Sequence, residues 1–264
     1  MKLLTLNCHS WQEDNQRDKI KTLATVIAKK NYDVIALQEV SQLIERPIVK
    51  DLLREENYCL ILLDELKRLG AEDYKLVWDF AHIGYDVYEE GVALLTKHPI
   101  VDTQSFFVSR SSDTTYWKTR KVIGVTISYF GKELSFYSCH LGWWKDEDEP
   151  FRYQIDSLFS QIDLSKPVFL MGDFNNNAFV RDEGYDYLLG KKLYDTYHLA
   201  EMKDSGITVE GDIAGWDENK HALRIDLILT NRRVKVRQSR VIFNGENQPV
   251  VSDHYGVEIE GIEW

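Results

Sequence analysis

The run Pro167-Val168-Phe169-Leu170-Met171 is apolar at every position and closes on Gly172-Asp173-Phe174 and three asparagines. Unbroken apolarity, in place of alternation, reads as a strand buried on both faces, and such a strand needs cover on each side. "KLLTLNC" (2–8) and "YDVIALQEV" (32–40) read as further strands. Between those two, Ile20, Leu23, Ala24, Ile27 and Ala28 recur at helical spacing, so the chain opens on a β-α-β unit.

The rest of the chain alternates in kind. "IVKDLLREEN" and "LILLDELKRLG" read as a charged helical region that stops at Gly70. "GVALLTK" (91–97) is a strand, and "KVIGVTISYFGKELSFYSCHL" is a hairpin turning at Gly131-Lys132. "PFRYQIDSLFSQI" (150–162) returns to helical spacing with Pro150 near its first turn. "LRIDLILTN", the half-exposed or edge strand "RVKVRQSRVIF" and "YGVEIEGI" complete the strands. Strands outnumber helices and the helices are interspersed, so packed sheets in an α/β sandwich are expected. No repeat, low-complexity segment or Gly/Ser/Pro-rich linker interrupts the 264 residues, and a single domain over 1–264 is the expectation.

Charge narrows the function. Lysine and arginine number 32 against 43 acids, a net charge of −11. That balance argues against a protein that coats nucleic acid by charge alone, while leaving room for a nuclease with a local groove or a bound cation. Cys8, Cys59 and Cys139 form no CxxC pair and read as reduced thiols. The N-terminus lacks a signal-type apolar region, and no stretch nears the roughly 20 apolar residues of a bilayer span. A cytoplasmic protein without a membrane partner is expected.

Polar residues stand where the apolar strands stop. Asn7 ends the first, Glu39 the second and His140 the hairpin; Asp173 and Asn175 close the 167–171 run. Asp226 lies inside "LRIDLIL", and Asp253-His254 precede the last strand. Taken singly, each has an ordinary structural reading as a cap, a satisfied core histidine or an Asx turn. Taken together, Asn, Glu and Asp supply the oxygen ligands that Mg²⁺ prefers. Histidines beside carboxylates can move protons and stabilise an oxyanion. No zinc-type spacing, GxSxG or Walker loop offers another chemistry. The inventory points to metal-assisted hydrolysis of a phosphate ester.

"LTLNC", "ALQEV", "EEGVALLTKHPI", "SCHL", "MGDFN", "RIDLIL" and "SDHYGV" occur in the order of the endonuclease/exonuclease/phosphatase superfamily, which this chain resembles from residue 3 to 257. That superfamily includes pancreatic-type deoxyribonuclease, abasic-site endonucleases, neutral sphingomyelinases and inositol-polyphosphate phosphatases. The resemblance implies a four-layer α/β/β/α sandwich of two packed mixed sheets, DNase I-like, with the site at one edge of the sheets. It implies Glu39 as the principal Mg²⁺ ligand (Mn²⁺ being a substitute), helped by Asn7 and Asp253. Asp173 and Asn175 would position and activate water, and His254, oriented by Asp226, would bond the phosphate or act as base. His140 would stabilise phosphoryl oxygens, with Glu90 placed to pair with it. Arg120 resembles a phosphate-contacting arginine, and a solvated strand-end charge is its equal alternative.

The substrate is read from "HLGWWKDEDEPFRYQ" (140–154), which borders His140. Asp146, Glu147, Asp148 and Glu149 outnumber Lys145, the reverse of a nucleic-acid channel with interleaved aromatics. Tryptophan with carboxylates suits a sugar, so Trp143, Trp144 and Trp216 are candidate substrate contacts, one of the loop pair packing inward. Trp216, in "GDIAGWDENKHALRID", brings more acids to the same rim. The loop also resembles that of the maltose-6'-phosphate phosphatase branch. A sugar-phosphate phosphomonoesterase is therefore expected. The alternatives are a phosphodiesterase (DNA or abasic-site nuclease, or sphingomyelinase) with the basic "NRRVKVRQSR" as its groove, and a non-catalytic binding protein on the same fold.

Overall fold

The computed structural model describes residues 1–263. One sheet runs Ala200–Lys203, Lys235–Ile242, Gly256–Glu263, Lys2–Asn7, Val34–Leu43, Tyr88–Thr96, Lys75–Gly84 in spatial order. The other runs Tyr194–Asp195, Asp226–Thr230, Val168–Asp173, Lys132–His140, Lys121–Tyr129, Ile100–Phe107. Each contains one parallel pair joined through a helix: Lys2–Asn7 with Val34–Leu43 across Gln16–Lys30, and Lys132–His140 with Val168–Asp173 across Phe151–Gln161. Their neighbours in each sheet are predominantly antiparallel.

The unbroken apolar runs now have their cause. Successive side chains of a strand point to opposite faces. Val34, Ala36, Phe169 and Met171 therefore enter the core between the sheets, where the Phe136 and Phe169 rings stack at 5.1 Å. Ile35 and Leu37 point the other way, against Ile20, Leu23, Ile27, Leu62 and Leu66 of the helices Gln16–Lys30 and Tyr58–Arg68. Val168 and Leu170 meet Phe151, Ile155, Leu158 and Leu188 on the far side. The result is the expected α/β/β/α sandwich. Each fully buried side chain of this size contributes about 1.5–3 kcal/mol to the driving force for folding.

Some local expectations are corrected. Residues 48–54 form a two-stranded ribbon, Ile48–Lys50 against Leu53–Arg54, and the helix is confined to Tyr58–Arg68. Tertiary contacts override helical composition there: Arg54 donates its guanidinium to Glu89, and its backbone N–H to Gln42. Asn57 then caps the helix by accepting from the Cys59 N–H at 2.9 Å. The hairpin turns at Phe130-Gly131, one residue early, because both adopt positive φ (48° and 78°), the requirement of a tight two-residue turn. "RVKVRQSRVIF" is half-exposed, as one of its two readings had it, and no edge: Lys235–Ile242 lies between two strands. Its Arg237 and Arg240 pair with Glu260 and Glu258, so that two of the five cations of the basic cluster "NRRVKVRQSR" are neutralised. All three cysteines are buried and free.

Candidate active site

The two helix-joined parallel pairs end at the same edge of the sandwich, which is where the strand-end polar residues converge. Asn7 and Glu39 come from one sheet, and His140 and Asp173, partners in strand register, from the other. Glu39 sits where the pairing of Val34–Leu43 with Tyr88–Thr96 slips between Leu37 and Val40, and its φ is +49°. The bulge adds a residue to the strand and turns the Glu39 side chain inward. Gly172 is required by close approach: at φ +147°, a Cβ there would stand 1.9 Å from the Cys139 carbonyl oxygen.

Asp173 is the hub. It accepts from the Asn175 backbone N–H at 2.8 Å and from the Asn7 amide at 3.2 Å. His140 Nε2 and His254 Nε2 each lie 3.8 Å from its Oδ2. His254 is held from behind, its Nδ1 bonding the Asp226 carboxylate at 2.9 Å. Asn175 has φ +49°, which fixes its amide to the Leu141 carbonyl at 2.9 Å while its oxygen accepts from the Trp216 indole at 2.8 Å.

Electrostatics separate the roles. Burial, with Glu90 and Asp253 nearby, pushes Glu39 up to about 8. Burial also pushes Asp173 up to about 7, against the attraction of His254. Burial alone would lower His254, but Asp226 and Asp173 outweigh it and raise the imidazole to about 10. His140 goes the other way: desolvation and the surrounding cations of Arg120, His82 and His254 hold it well below the ordinary histidine range. His254 is thus an imidazolium at neutral pH and His140 a neutral ring.

The carboxylates fit a hard cation. Glu39 finds no lysine or arginine within ion-pair distance among the described residues, and the neutral His140 ring stands 3.8 Å from it. Half-buried oxygen ligands short of counter-charge, still open to an entering ion, are the donor set a divalent cation takes. Asp253 stands with His9, 3.5 Å away, and Glu13, but Glu13 is already neutralised by Lys19. Asn7 stands between the carboxylates of the two sheets. It turns its amide nitrogen to Glu39 at 2.8 Å, its oxygen being taken by the His9 backbone N–H, so it bridges two carboxylates in this arrangement.

Glu39 and Asp173 both bind a proton more tightly in the folded chain (about 8 against 4.5, about 7 against 3.8). The stability linked to each is full below its unfolded value and is lost as pH rises through its folded one. The metal-free protein is therefore expected to melt progressively lower between about pH 4 and pH 8, with His254 adding the same sign above its ordinary 6.5. Mg²⁺ should recover most of that loss, and Glu39→Gln should flatten the slope and abolish the Mg²⁺ increment. Melting curves in chelator check this; a midpoint insensitive to pH across that window contradicts it.

The site opens into a cavity of about 290 Å³. Arg120 is buried at its wall, 3% exposed, which eliminates the solvated-charge alternative. Glu90 lines the cavity but pairs with His82 at 3.3 Å rather than with His140. Trp143 lines it too, whereas Trp144 packs inward on Phe151 and Tyr187 with Arg152 over its ring. The acidic run does not border the cavity. Asp146 pairs with Lys118, and buried Glu149 accepts the backbone N–H groups of Arg110 and Ser111, so the acids fasten the loop. His82, Tyr85 and Trp117 also line the cavity and were not among the expected residues. The signal for His82 and Tyr85 was a hairpin over 75–96, in which His82 stands opposite Glu90, whereas Trp117 comes from the loop before Lys121–Tyr129.

The sequence matches the Endonuclease/Exonuclease/phosphatase family over residues 4–254. The chain belongs to this family. Its structure is similar to that of an endonuclease/exonuclease/phosphatase family protein from Leptotrichia buccalis C-1013-b, 43% identical over 100% of both chains, with a TM-score of 0.94. It is also similar to a mannosyl-6-phosphatase from Bacteroides thetaiotaomicron VPI-5482 (16% identity, 100% of each chain, TM-score 0.73). Humanized D. rerio TDP2 shares the fold as well (16% identity, 98% of this chain and 97% of that one, TM-score 0.66). At 16% these likenesses concern the fold. No curated protein matches the sequence. As a member of this family the chain is a phosphoester hydrolase, of a class that generally depends on divalent metal. No described helix is long and apolar enough to cross a membrane.

Proposed function

We propose that this chain is a Mg²⁺-dependent phosphomonoesterase acting on a sugar phosphate in the cytoplasm, folded as one catalytic domain over 1–264. The observation that carries the reading is the make-up of the cavity wall: Trp117, Trp143 and Tyr85 line it beside a buried guanidinium, Arg120, that has no carboxylate partner among the described residues. Among the described residues no ion pair engages Arg120; its Nη1 donates to the Trp117 and Thr119 carbonyls and its Nε has no partner. A terminal phosphate supplies the missing acceptors, and a bidentate guanidinium matches it. At about 290 Å³ the cavity stands at the small end of ligand sites, which suits one ring and its phosphate rather than a duplex.

The residues divide the chemistry as follows. Arg120, the His254 imidazolium and the neutral His140 N–H surround the phosphoryl oxygens. Asp173, held by Asn175 and Asn7, takes a proton from water as its oxygen attacks phosphorus. The phosphorus–oxygen ester bond breaks, and the proton passes to the leaving alkoxide, giving alcohol and inorganic phosphate. Glu39 with Asp253 would hold Mg²⁺, which would supply neutralisation of charge on the phosphoryl oxygens.

A panel tests this directly: Mg²⁺-dependent phosphate release from hexose phosphates, with an abasic-site duplex and sphingomyelin in parallel. Release from sugar monoesters with silent diesters is the expected result; cleaved diesters with inert monoesters overturn the reading. The tryptophans give a second check. Trp143→Ala should raise KM for a hexose phosphate about tenfold while sparing p-nitrophenyl phosphate, one lost stacking face being worth about 1 kcal/mol. Trp144→Ala should chiefly lower the melting temperature. Equal effects of Trp143→Ala on both substrates would assign it a structural role.

A further inference from the structure

Glu90 carries a carboxylate in the cavity wall that the phosphoryl chemistry leaves unused. Its strand, Tyr88–Thr96, pairs with Lys75–Gly84, and the register slips between Phe80 and His82, which brings His82 opposite Glu90. A bulge of this kind re-aims side chains, here toward the cavity that both residues line. His82 Nδ1 lies 3.1 Å from the Thr119 carbonyl, which can only accept, so this nitrogen carries a hydrogen and donates it. Its Nε2 lies 3.3 Å from Glu90 Oε1. The ring thereby ties the carboxylate to the turn that bears Arg120, whose Nη1 donates to the same Thr119 carbonyl. Guanidinium and carboxylate are held at a fixed span.

The other oxygen of Glu90 is unused by the fold. Oε2 accepts no hydrogen bond among the described residues, although Glu90 is only 9% exposed. Burial works to raise its carboxyl, but the His82 bond and the charges of His82 and Arg120 outweigh it and hold the group below the usual carboxylate range. Gly84, also in the cavity wall, leaves Oε2 uncovered: a Cβ there would stand 2.9 Å from that oxygen. A buried acceptor left bare in this way is costly unless a ligand brings the donor.

Resting on the phosphomonoesterase reading, we infer that Glu90 is a specificity-determining residue, whose Oε2 accepts a hydrogen bond from a substrate hydroxyl beside the phosphate, reached over Gly84. Aromatic walls alone hold apolar and hydroxylated esters alike. The carboxylate rejects an ester that brings no hydroxyl, because binding it seals Oε2 away from water with no donor.

The test compares kcat/KM for glucose 6-phosphate and for n-hexyl phosphate, an ester of equal carbon number without hydroxyls, in wild type, Glu90→Gln and Gly84→Ala. Wild type is expected to prefer the sugar by about 100-fold or more, and each variant to narrow that ratio by about tenfold, the weight of one hydrogen bond to a charged group. Glutamine removes the charge, whereas the alanine methyl shields Oε2 with the carboxylate and its His82 pair retained. A wild-type preference below about threefold, or a ratio that Glu90→Gln leaves unchanged while both rates fall, overturns the role and leaves the phosphomonoesterase standing. An unchanged ratio with a weaker response to Mg²⁺ overturns it in favour of a metal ligand. Both monoesters inert, with bis-p-nitrophenyl phosphate cleaved, overturn the phosphomonoesterase reading and this role with it. Should Glu90→Gln not fold, Gly84→Ala decides, since Gly84 lies outside the positive-φ region that would strain an alanine. The same narrowing there supports the role, and an unchanged ratio overturns it.

Discussion

Asp173→Asn is expected to lower kcat by about 10³- to 10⁴-fold with KM changed by no more than about threefold. The asparagine keeps the size of the side chain and can still accept from the Asn175 N–H, now 2.8 Å from Oδ1. What it loses is the capacity to take a proton, and its new amide faces the Asn7 and Asn175 amides that Oδ2 now accepts from. Donors then oppose donors, a misfit confined to the reacting centre. His254 cannot substitute as base. Its two nitrogens face Asp226 at 2.9 Å and Asp173 at 3.8 Å, and raised to about 10 it holds its proton at neutral pH. Steady-state kinetics on a sugar phosphate and on p-nitrophenyl phosphate check the division. A large rise in KM with kcat preserved would move Asp173 from proton transfer to binding. Without metal the same variant should melt higher than wild type, since a buried carboxylate has been removed from beside Glu39 and Asp226.

The strand-end residues were legible because the physics that places them is local. An apolar strand buried on both faces has no reason to end in Asn7, Asp173 or His140 unless the ends share a polar site, and two β-α-β units bring those ends to one edge. What a residue bonds to at that edge was not legible. Glu90 was expected to serve His140, but its partner His82 comes from Lys75–Gly84, a strand whose half-alternating sequence gives a weak signal. For Asn7 the sequence did not show that its oxygen accepts the His9 backbone N–H while its amide bridges Glu39 and Asp173. The acidic loop misled most. Composition at 146–149 says only that four acids are adjacent; that Glu149 is buried under two backbone N–H groups and Asp146 bound to Lys118 depends on a loop some 35 residues away in sequence. The sugar reading therefore rests on the aromatic walls and no longer on the acids. Nor did the sequence distinguish Trp143 from Trp144, since adjacent residues in a loop have no fixed alternation to say which faces inward.

Arg120→Met should separate function from stability more sharply than any other single change. The guanidinium is buried and lacks an ion-pair partner among the described residues, its Nε is unbonded, and burial lowers its affinity for a proton despite Glu90, Glu39 and Asp173 nearby. A charge in that state costs folding free energy and is retained only where something outside the fold uses it. Methionine keeps much of the length and apolar volume while removing the charge, so the metal-free protein should melt about 2–4 °C higher, equivalent to about 1 kcal/mol. Activity should move the other way. Losing one preorganised donor to the phosphoryl oxygens should lower kcat/KM by about 10²- to 10³-fold, or about 2.7–4 kcal/mol of transition-state stabilisation. Arg120→Lys should recover only part of it, because an ammonium cannot present the paired N–H groups of the fork. Inorganic phosphate, as a competitive inhibitor, should weaken in parallel. If Arg120→Met instead lowers the melting temperature and leaves kcat/KM unchanged, the guanidinium supports the Trp117–Thr119 turn through its carbonyl bonds, and the phosphate must be held by the histidines alone.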